Sequence, residues 1–154
     1  MCWLDLANAY GSVHHSLIQF TLKHYHAPPR FCQVLEALYS GLSAQVITAD
    51  WATPLIPLQI GVYQGDPLSV VIFNTVINTL VDTLQTHLDL GYTISGSNHQ
   101  VNLLQYADDT CLLANSPASC QYLLNTLGDW LQWSAIRAKV AKCHSMGLQG
   151  SIGR

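Results

Sequence analysis

Charge is what this sequence has least of. Of its 154 residues only 10% are Asp, Glu, Lys or Arg, where a soluble domain usually carries about 25%. With 49% hydrophobic residues, so little charge cannot cover the whole surface of a free-standing domain, and apolar faces remain for neighbours. A fragment of a larger protein, or an obligate partner, is therefore expected. Basic residues are scarcer still: 6 Lys+Arg stand against 9 Asp+Glu, for a net charge of −3. A self-sufficient nucleic-acid binder needs a basic surface, because neutralising phosphates supplies most of its affinity. Either the chain does not hold nucleic acid, or the basic surface lies in other segments.

Other absences narrow the class. The cysteines Cys2, Cys32, Cys111, Cys120 and Cys143 form no C-x-x-C pair, and an odd count favours reduced thiols in an intracellular compartment, cytoplasm or nucleus. No basic region followed by an apolar one marks a signal peptide at the N-terminus. The most apolar run, residues 68–80, is interrupted by Ser69, Asn74, Thr75, Asn78 and Thr79. It predicts a buried helix rather than a membrane span, which needs about 20 mostly apolar residues. Repeats, low-complexity tracts and linkers are missing, so residues 1–154 read as one domain.

What is present reads as alternating elements. Residues 2–6 predict a short buried strand, and a helix is expected over residues 12–25, ending before Ala27-Pro28-Pro29. Phe31, Val34, Leu35, Leu38 and Tyr39 recur at helical spacing, with Pro29 in the first turn and Gly41 at the C-terminal end. Residues 44–48 predict a strand, and Pro54 and Pro57 a loop or sheet edge. Asp66-Pro67 reads as a cap and first-turn proline. They open a helix with Phe73, Ile77, Leu80, Val81, Leu84 and Leu88 on one side. Two apolar runs, residues 101–105 and 110–114, flank Tyr106-Ala107-Asp108-Asp109 and predict a hairpin. Ser116-Pro117 starts a further helix with Cys120, Leu123, Leu124, Leu127, Trp130 and Leu131 on one stripe, and a last strand follows Lys142. This order predicts an α+β fold with helices on one face of an antiparallel sheet.

Asp108 and Asp109 are the sharpest local anomaly. Two carboxylates in an apolar hairpin are costly to bury unless paired, solvated or bound to a cation. No Lys or Arg lies between Arg30 and Arg137, so no local ion pair accounts for them. Either they sit in a polar turn facing water, or they hold a hard divalent cation, Mg²⁺ or Mn²⁺. Asp5, at the end of an apolar strand, reads alone as a cap or an exposed strand end. Gln64-Gly65-Asp66-Pro67-Leu68-Ser69 has a local reading as turn glycine, cap and proline, but its place between Asp5 and the Tyr-Ala-Asp-Asp hairpin does not recur by accident. His14-His15 and His24-x-His26 lack the Cys or acidic partners that would complete a zinc site.

In order, Asp5-Leu6-Ala7-Asn8-Ala9-Tyr10-Gly11-Ser12-Val13, the Gln64–Ser69 run and Tyr106–Asp109 resemble motifs A, B and C of reverse transcriptases of the non-LTR retrotransposon kind. Residues 133–143 resemble their motif D, with two departures: Ala135 stands where glycine is usual and Lys139 where asparagine is common. The resemblance runs from about residue 2 to residue 148. It implies a polymerase palm, a ferredoxin-like antiparallel sheet backed by helices, without complete fingers and thumb. It implies RNA-directed DNA synthesis on an RNA template and DNA primer from deoxynucleoside triphosphates, with no membrane involved and with fingers and thumb segments supplied from elsewhere.

The same resemblance assigns two Mg²⁺ ions (Mn²⁺ possible) to Asp5 and Asp108, with Asp109 a weaker ligand. It makes Tyr10 a steric gate against the ribose 2′-hydroxyl, Gln64 and Gly65 contacts to nucleotide and template, and Lys142 a proton donor to pyrophosphate. The plainer readings stand beside these: Tyr10 packed beneath a helix, Lys142 solvated at a strand start, and the whole chain an inert retroelement remnant serving as a binding or structural module. A ferredoxin-like RNA-binding module is a further alternative, although basic residues for its sheet face are few.

Overall fold

The structure is a computed structural model that describes residues 1–147. In chain order, β1 (Cys2–Leu4) is followed by α1 (Ala9–Ser12), α2 (His15–His24) and α3 (Pro29–Ser40). The short strands β2 (Ser43–Ala44) and β3 (Ile56–Pro57) precede the long α4 (Pro67–Gln85). Next come β4 (Tyr92–Thr93), β5 (Gln100–Val101), β6 (Leu103–Tyr106), β7 (Asp109–Leu112), α5 (Pro117–Ser134) and β8 (His144–Ser145). Single 3-10 turns occupy Leu88–Leu90 and Val140–Lys142. The chain forms two compact units, one from Tyr10–Val76 and one from Met1–Ala9 with the residues from 77 onward. The boundary falls inside α4.

The second of these units is the expected α+β layer. Its four-stranded sheet has the order β6-β7-β1-β8, antiparallel throughout. Register sets Cys2 opposite Leu112, Trp3 opposite Cys111 and Leu4 opposite Thr110. Because side chains alternate along a strand, Cys2, Leu4, Thr110 and Leu112 share the inner face, and all four are buried. The covering helix α5 begins at Ser116, whose hydroxyl accepts the Ser119 N–H at 3.1 Å, satisfying one of the orphan donors of the first turn. Its buried stripe is Leu123, Leu127 and Trp130. The Trp130 indole N–H donates to Thr79 Oγ1 at 2.9 Å, tying α5 to the second half of α4.

Where α4 ends, the buried Asn102 side chain donates to the carbonyls of Leu84 (2.6 Å) and His87 (3.1 Å), which a helix terminus leaves without intrahelical partners. A Cβ on Gly91 would meet the Val101 backbone at 2.8 Å, so only glycine admits the ribbon of β4 and β5 there.

In the unit Tyr10–Val76, α2 and α3 pack through Leu17, Ile18, Leu22, Leu35 and Tyr39. The first half of α4 buries Ile72, Phe73 and Val76. Asp66 caps α4: its Oδ1 accepts Leu68 N–H at 3.2 Å and its Oδ2 the Ser69 hydroxyl at 3.3 Å. By length and composition α4 could cross a membrane. Phe73, Ile77, Leu80 and Leu84 are instead buried in the protein.

Several boundaries differ from the pattern read in the sequence. The helix expected over residues 12–25 starts only at His15, as α2, and is parted from the short α1 before it where Gly61 N–H bonds to Val13 O at 2.7 Å and Val62 N–H to Tyr10 O at 2.8 Å. A segment distant in sequence takes carbonyls that a continuous helix would use. The strand expected at 44–48 shrinks to Ser43–Ala44 and an isolated bridge at Ile47. Strand β1 stops at Leu4, leaving Leu6 in a single bridge to Ala138. Leu88 lies beyond α4, exposed in the following turn, and Phe31, Val34 and Leu38 face outward from α3. The ribbon of β4 and β5 gave no sequence signal strong enough to be read.

Candidate active site

Strand β1 delivers Asp5. The register that pairs Leu4 with Thr110 brings Asp5, one residue past the end of β1, to the level of Asp109, the first residue of β7. Asp5 is held from the other side by its own backbone: its carbonyl accepts Lys139 N–H at 2.7 Å, and Ala7 N–H donates to Arg137 O at 2.7 Å. These bonds draw the segment after α5 alongside β1, and with it Lys142. The Lys142 Nζ stands 3.7 Å from Asp5 Oδ2, with the lysine side chain 58% and the aspartate 26% exposed. A pair so open to water contributes little stability, in the range of about 0–1 kcal/mol.

The hairpin of β6 and β7 supplies the other carboxylates. Tyr106 opposes Asp109, and Ala107-Asp108 form the two-residue turn between them. Ala107 has φ +50, a left-handed conformation that favours glycine. Gln105 braces the turn by donating from Nε2 to Ala107 O at 2.6 Å while its Oε1 accepts the Thr110 hydroxyl at 2.9 Å. Neither Gln105 nor Thr110 was singled out from sequence. Their signal was two polar residues at mirrored places in otherwise apolar strands.

An open cavity of about 560 Å³ lies over the outer sheet face, lined by Trp3, Asp5, Leu104, Tyr106, Asp109 and Lys142 among others. The sheet's two-residue periodicity selects these side chains, so two acids and one ammonium stand over an apolar and aromatic floor. Asp5, Asp109 and Lys142 are thus brought together. Asp108 occupies the turn, half-buried, and is not part of the lining. Among the described residues there is no cluster of three His, Cys, Asp or Glu side chains; Asp5 and Asp109 share the cavity lining, and Asp108 stands in the adjoining turn. In kind, the carboxylates fit a hard divalent cation, since they offer only oxygen donors, and on Asp5 an ammonium already takes the place of a cation.

The remaining expected site residues belong to the unit Tyr10–Val76. Tyr10 is half-buried and stacks on Phe73 of α4, ring centroids 4.4 Å apart and planes at 16°. Gln64 and Gly65 are exposed ahead of the Asp66 cap. Gly65 has φ +93 with open space where a Cβ would be. Its own backbone conformation, rather than crowding by the protein, calls for glycine there.

A mixed layer of this kind, with acidic residues at the ends of neighbouring antiparallel strands, is a polymerase palm. The solved structure of apo telomerase from Candida tropicalis, truncated from its C-terminal domain, superposes with a TM-score of 0.76 over 99% of this chain and 31% of that one, at 12% identity. That likeness concerns the fold.

The family follows from sequence. The profile of the family described as "Reverse transcriptase (RNA-dependent DNA polymerase)" matches residues 1–150, and the chain belongs to that family. It is 31% identical over 147 residues to the Retrovirus-related Pol polyprotein from type-2 retrotransposable element R2DM of Drosophila melanogaster, covering 96% of this chain and 14% of that protein. A Pol polyprotein from a type-1 retrotransposable element R2 of Nasonia vitripennis is 27% identical, covering 94% of this chain and 14% of its own length. The Transposon TX1 uncharacterized 149 kDa protein of Xenopus laevis is 30% identical, covering 97% and 11%. The resemblance to non-LTR retrotransposon reverse transcriptases therefore holds, and the chain spans between about a seventh and a quarter of the length of the R2 relatives it matches.

Proposed function

We propose that this chain is the palm segment of an RNA-directed DNA polymerase of a retroelement, transferring deoxynucleotides to a primer 3′-hydroxyl on an RNA template. The observation that carries this reading is the pair Asp5, just past the end of β1, and Asp109, at the start of β7, both lining one open cavity in a chain matched by the reverse transcriptase family. Asp5, with Asp108 and Asp109, would hold Mg²⁺ or Mn²⁺. When bound, such ions act as Lewis acids on the reacting phosphate and hydroxyl oxygens.

The chain's own residues have the following parts. The primer 3′-hydroxyl releases its proton to water as its oxygen bonds to the α-phosphorus of the incoming triphosphate, the bridging P–O bond breaks, and Lys142 gives the departing pyrophosphate a proton. Tyr10, fixed in orientation by its stack on Phe73, would bar a ribose 2′-hydroxyl. Gln64 and Gly65 would contact nucleotide and template. The floor of Trp3, Leu104 and Tyr106, of which Tyr106 is 83% exposed, suits the apolar face of a nucleic acid more than its phosphates. Phosphate contacts would come from fingers and thumb segments outside this chain, because only 6 basic residues are available here. Polymerisation by the 154-residue chain alone is accordingly expected to be very low. The unpaired thiols are in keeping with a reducing intracellular setting.

Calorimetric titration of the chain with Mn²⁺ tests the reading. Binding that Asp5→Asn and Asp108→Asn each weaken at least about tenfold supports it. The absence of carboxylate-dependent binding would favour an inert remnant retained as a binding or structural module. Efficient primer extension by the chain alone, abolished by Asp108→Ala, would show that the missing segments are dispensable.

A further inference from the structure

Cys2 opens β1 and Cys120 lies in the first turn of α5, yet their sulfurs are 3.3 Å apart across 118 positions of sequence. Cys2 is buried at 5% exposure, while Cys120 is partly exposed. Both line an open cavity of about 400 Å³ bounded by Pro117, Gln121 and Ser145, separate in its lining from the one over Asp5. Cys111 is excluded from the pair by register: it opposes Trp3, and so projects from the other face of the sheet.

We propose that Cys2 and Cys120 form a thiol–disulfide site that takes low-molecular-weight disulfides and closes into an intrachain bond between β1 and α5. The Cys120 thiolate, reached from the cavity, attacks one sulfur of a small disulfide such as oxidised glutathione and displaces one equivalent of thiolate, leaving a mixed disulfide on Cys120. Cys2 then gives up its proton and attacks Cys120 Sγ, displacing the second equivalent. The two protons lost by the protein thiols go to the two departing thiolates, and the two electrons reduce the small disulfide. Burial and the Cys120 contact push the Cys2 thiol up to about 11, so the second step is the slower one, and at equilibrium the mixed disulfide has passed on to the intrachain bond. The bond would fasten the strand that presents Asp5, three residues downstream, to the helix behind the sheet.

The test uses the full chain in graded ratios of reduced to oxidised glutathione, with acid quench, alkylation and peptide mapping by mass. The expected result is that two of the five thiols disappear together, that one linked peptide pair joins Cys2 to Cys120, and that dithiothreitol reverses it. Closing so long a loop should also raise the thermal midpoint by about 10 °C under oxidising conditions. Cys2→Ser should stop at glutathione held on Cys120, and Cys120→Ser should form no intrachain bond. Stable glutathione on Cys120 of the unmodified sequence with Cys2 still open to alkylation would overturn the proposal. So would a bond joining any other pair or two chains. Mapping the unmodified sequence decides the matter even where a serine variant fails to fold.

Discussion

Thr110 donates its hydroxyl to Gln105 Oε1 at 2.9 Å between two residues that oppose each other directly across β6 and β7. Thr110 is 2% exposed, so this bond is sheltered from water and locks the side chain that in turn holds the carbonyl of Ala107. The hairpin that presents Asp108 and Asp109 is therefore braced from beneath by a two-bond chain. Thr110→Val removes the donor while keeping the shape and should destabilise the protein by about 1–2 kcal/mol. Urea denaturation followed by circular dichroism measures it, and an unchanged midpoint would mean that the brace is idle.

Ala135 closes α5 with φ +59, in the left-handed region that costs a residue with a Cβ about 1 kcal/mol or more relative to glycine. The departure in motif D noted from sequence is thus a strained helix terminus. Ala135→Gly should raise stability by about 0.5–1 kcal/mol, the relief of strain being partly offset by a looser unfolded chain. A fall in the urea midpoint would contradict the assigned conformation.

Lys142 neutralises Asp5 from an exposed position. Lys142→Met should change folding stability by less than about 1 kcal/mol, yet it should tighten Mn²⁺ binding severalfold, because the ammonium no longer competes for the carboxylate. Titration calorimetry on the variant and the parent separates these effects. Weaker binding in the variant would show that Lys142 organises the site rather than competing for it.

Stability should fall at alkaline pH. The Cys2 thiol is raised from 9.0 to about 11 by burial and by Cys120, and burial also raises Cys111 and Tyr39 above their ordinary values. Between pH 9 and 11 the unfolded chain ionises at Cys2 while the folded chain stays protonated, so unfolding releases a proton. The stabilisation is complete below pH 9 and is lost as pH climbs toward 11. For Cys2 it is of the order of 2 kcal/mol. Denaturation under reducing conditions from pH 8 to 11 should show this slope, reduced in Cys2→Ala.

Local signals carried the parts of the fold that depend on neighbours in sequence. Pro29, Asp66-Pro67 and Ser116-Pro117 marked three helix starts, because caps and fixed proline φ act within one turn. The Tyr-Ala-Asp-Asp stretch read as a hairpin since two apolar runs flank it. The break between α1 and α2 was not legible, because it depends on Gly61 and Val62 taking the carbonyls of Val13 and Tyr10 from some fifty positions away. The ribbon of β4 and β5 was missed for a similar reason: it rests on the close approach of Gly91 to Val101, not on a period.

By itself the sequence determined the family, the order of motifs and the oxygen-only donors of an acidic site, since residue type and spacing along the chain express these directly. Tertiary structure decided which acids share a cavity. Register between β1 and β7 put Asp109 beside Asp5 and left Asp108 in the turn, and the packing of α5 on the sheet brought Cys120 against Cys2. Strand pairing is set by the burial of whole faces, and a shift of one residue would have exchanged every side chain between the cavity and the core.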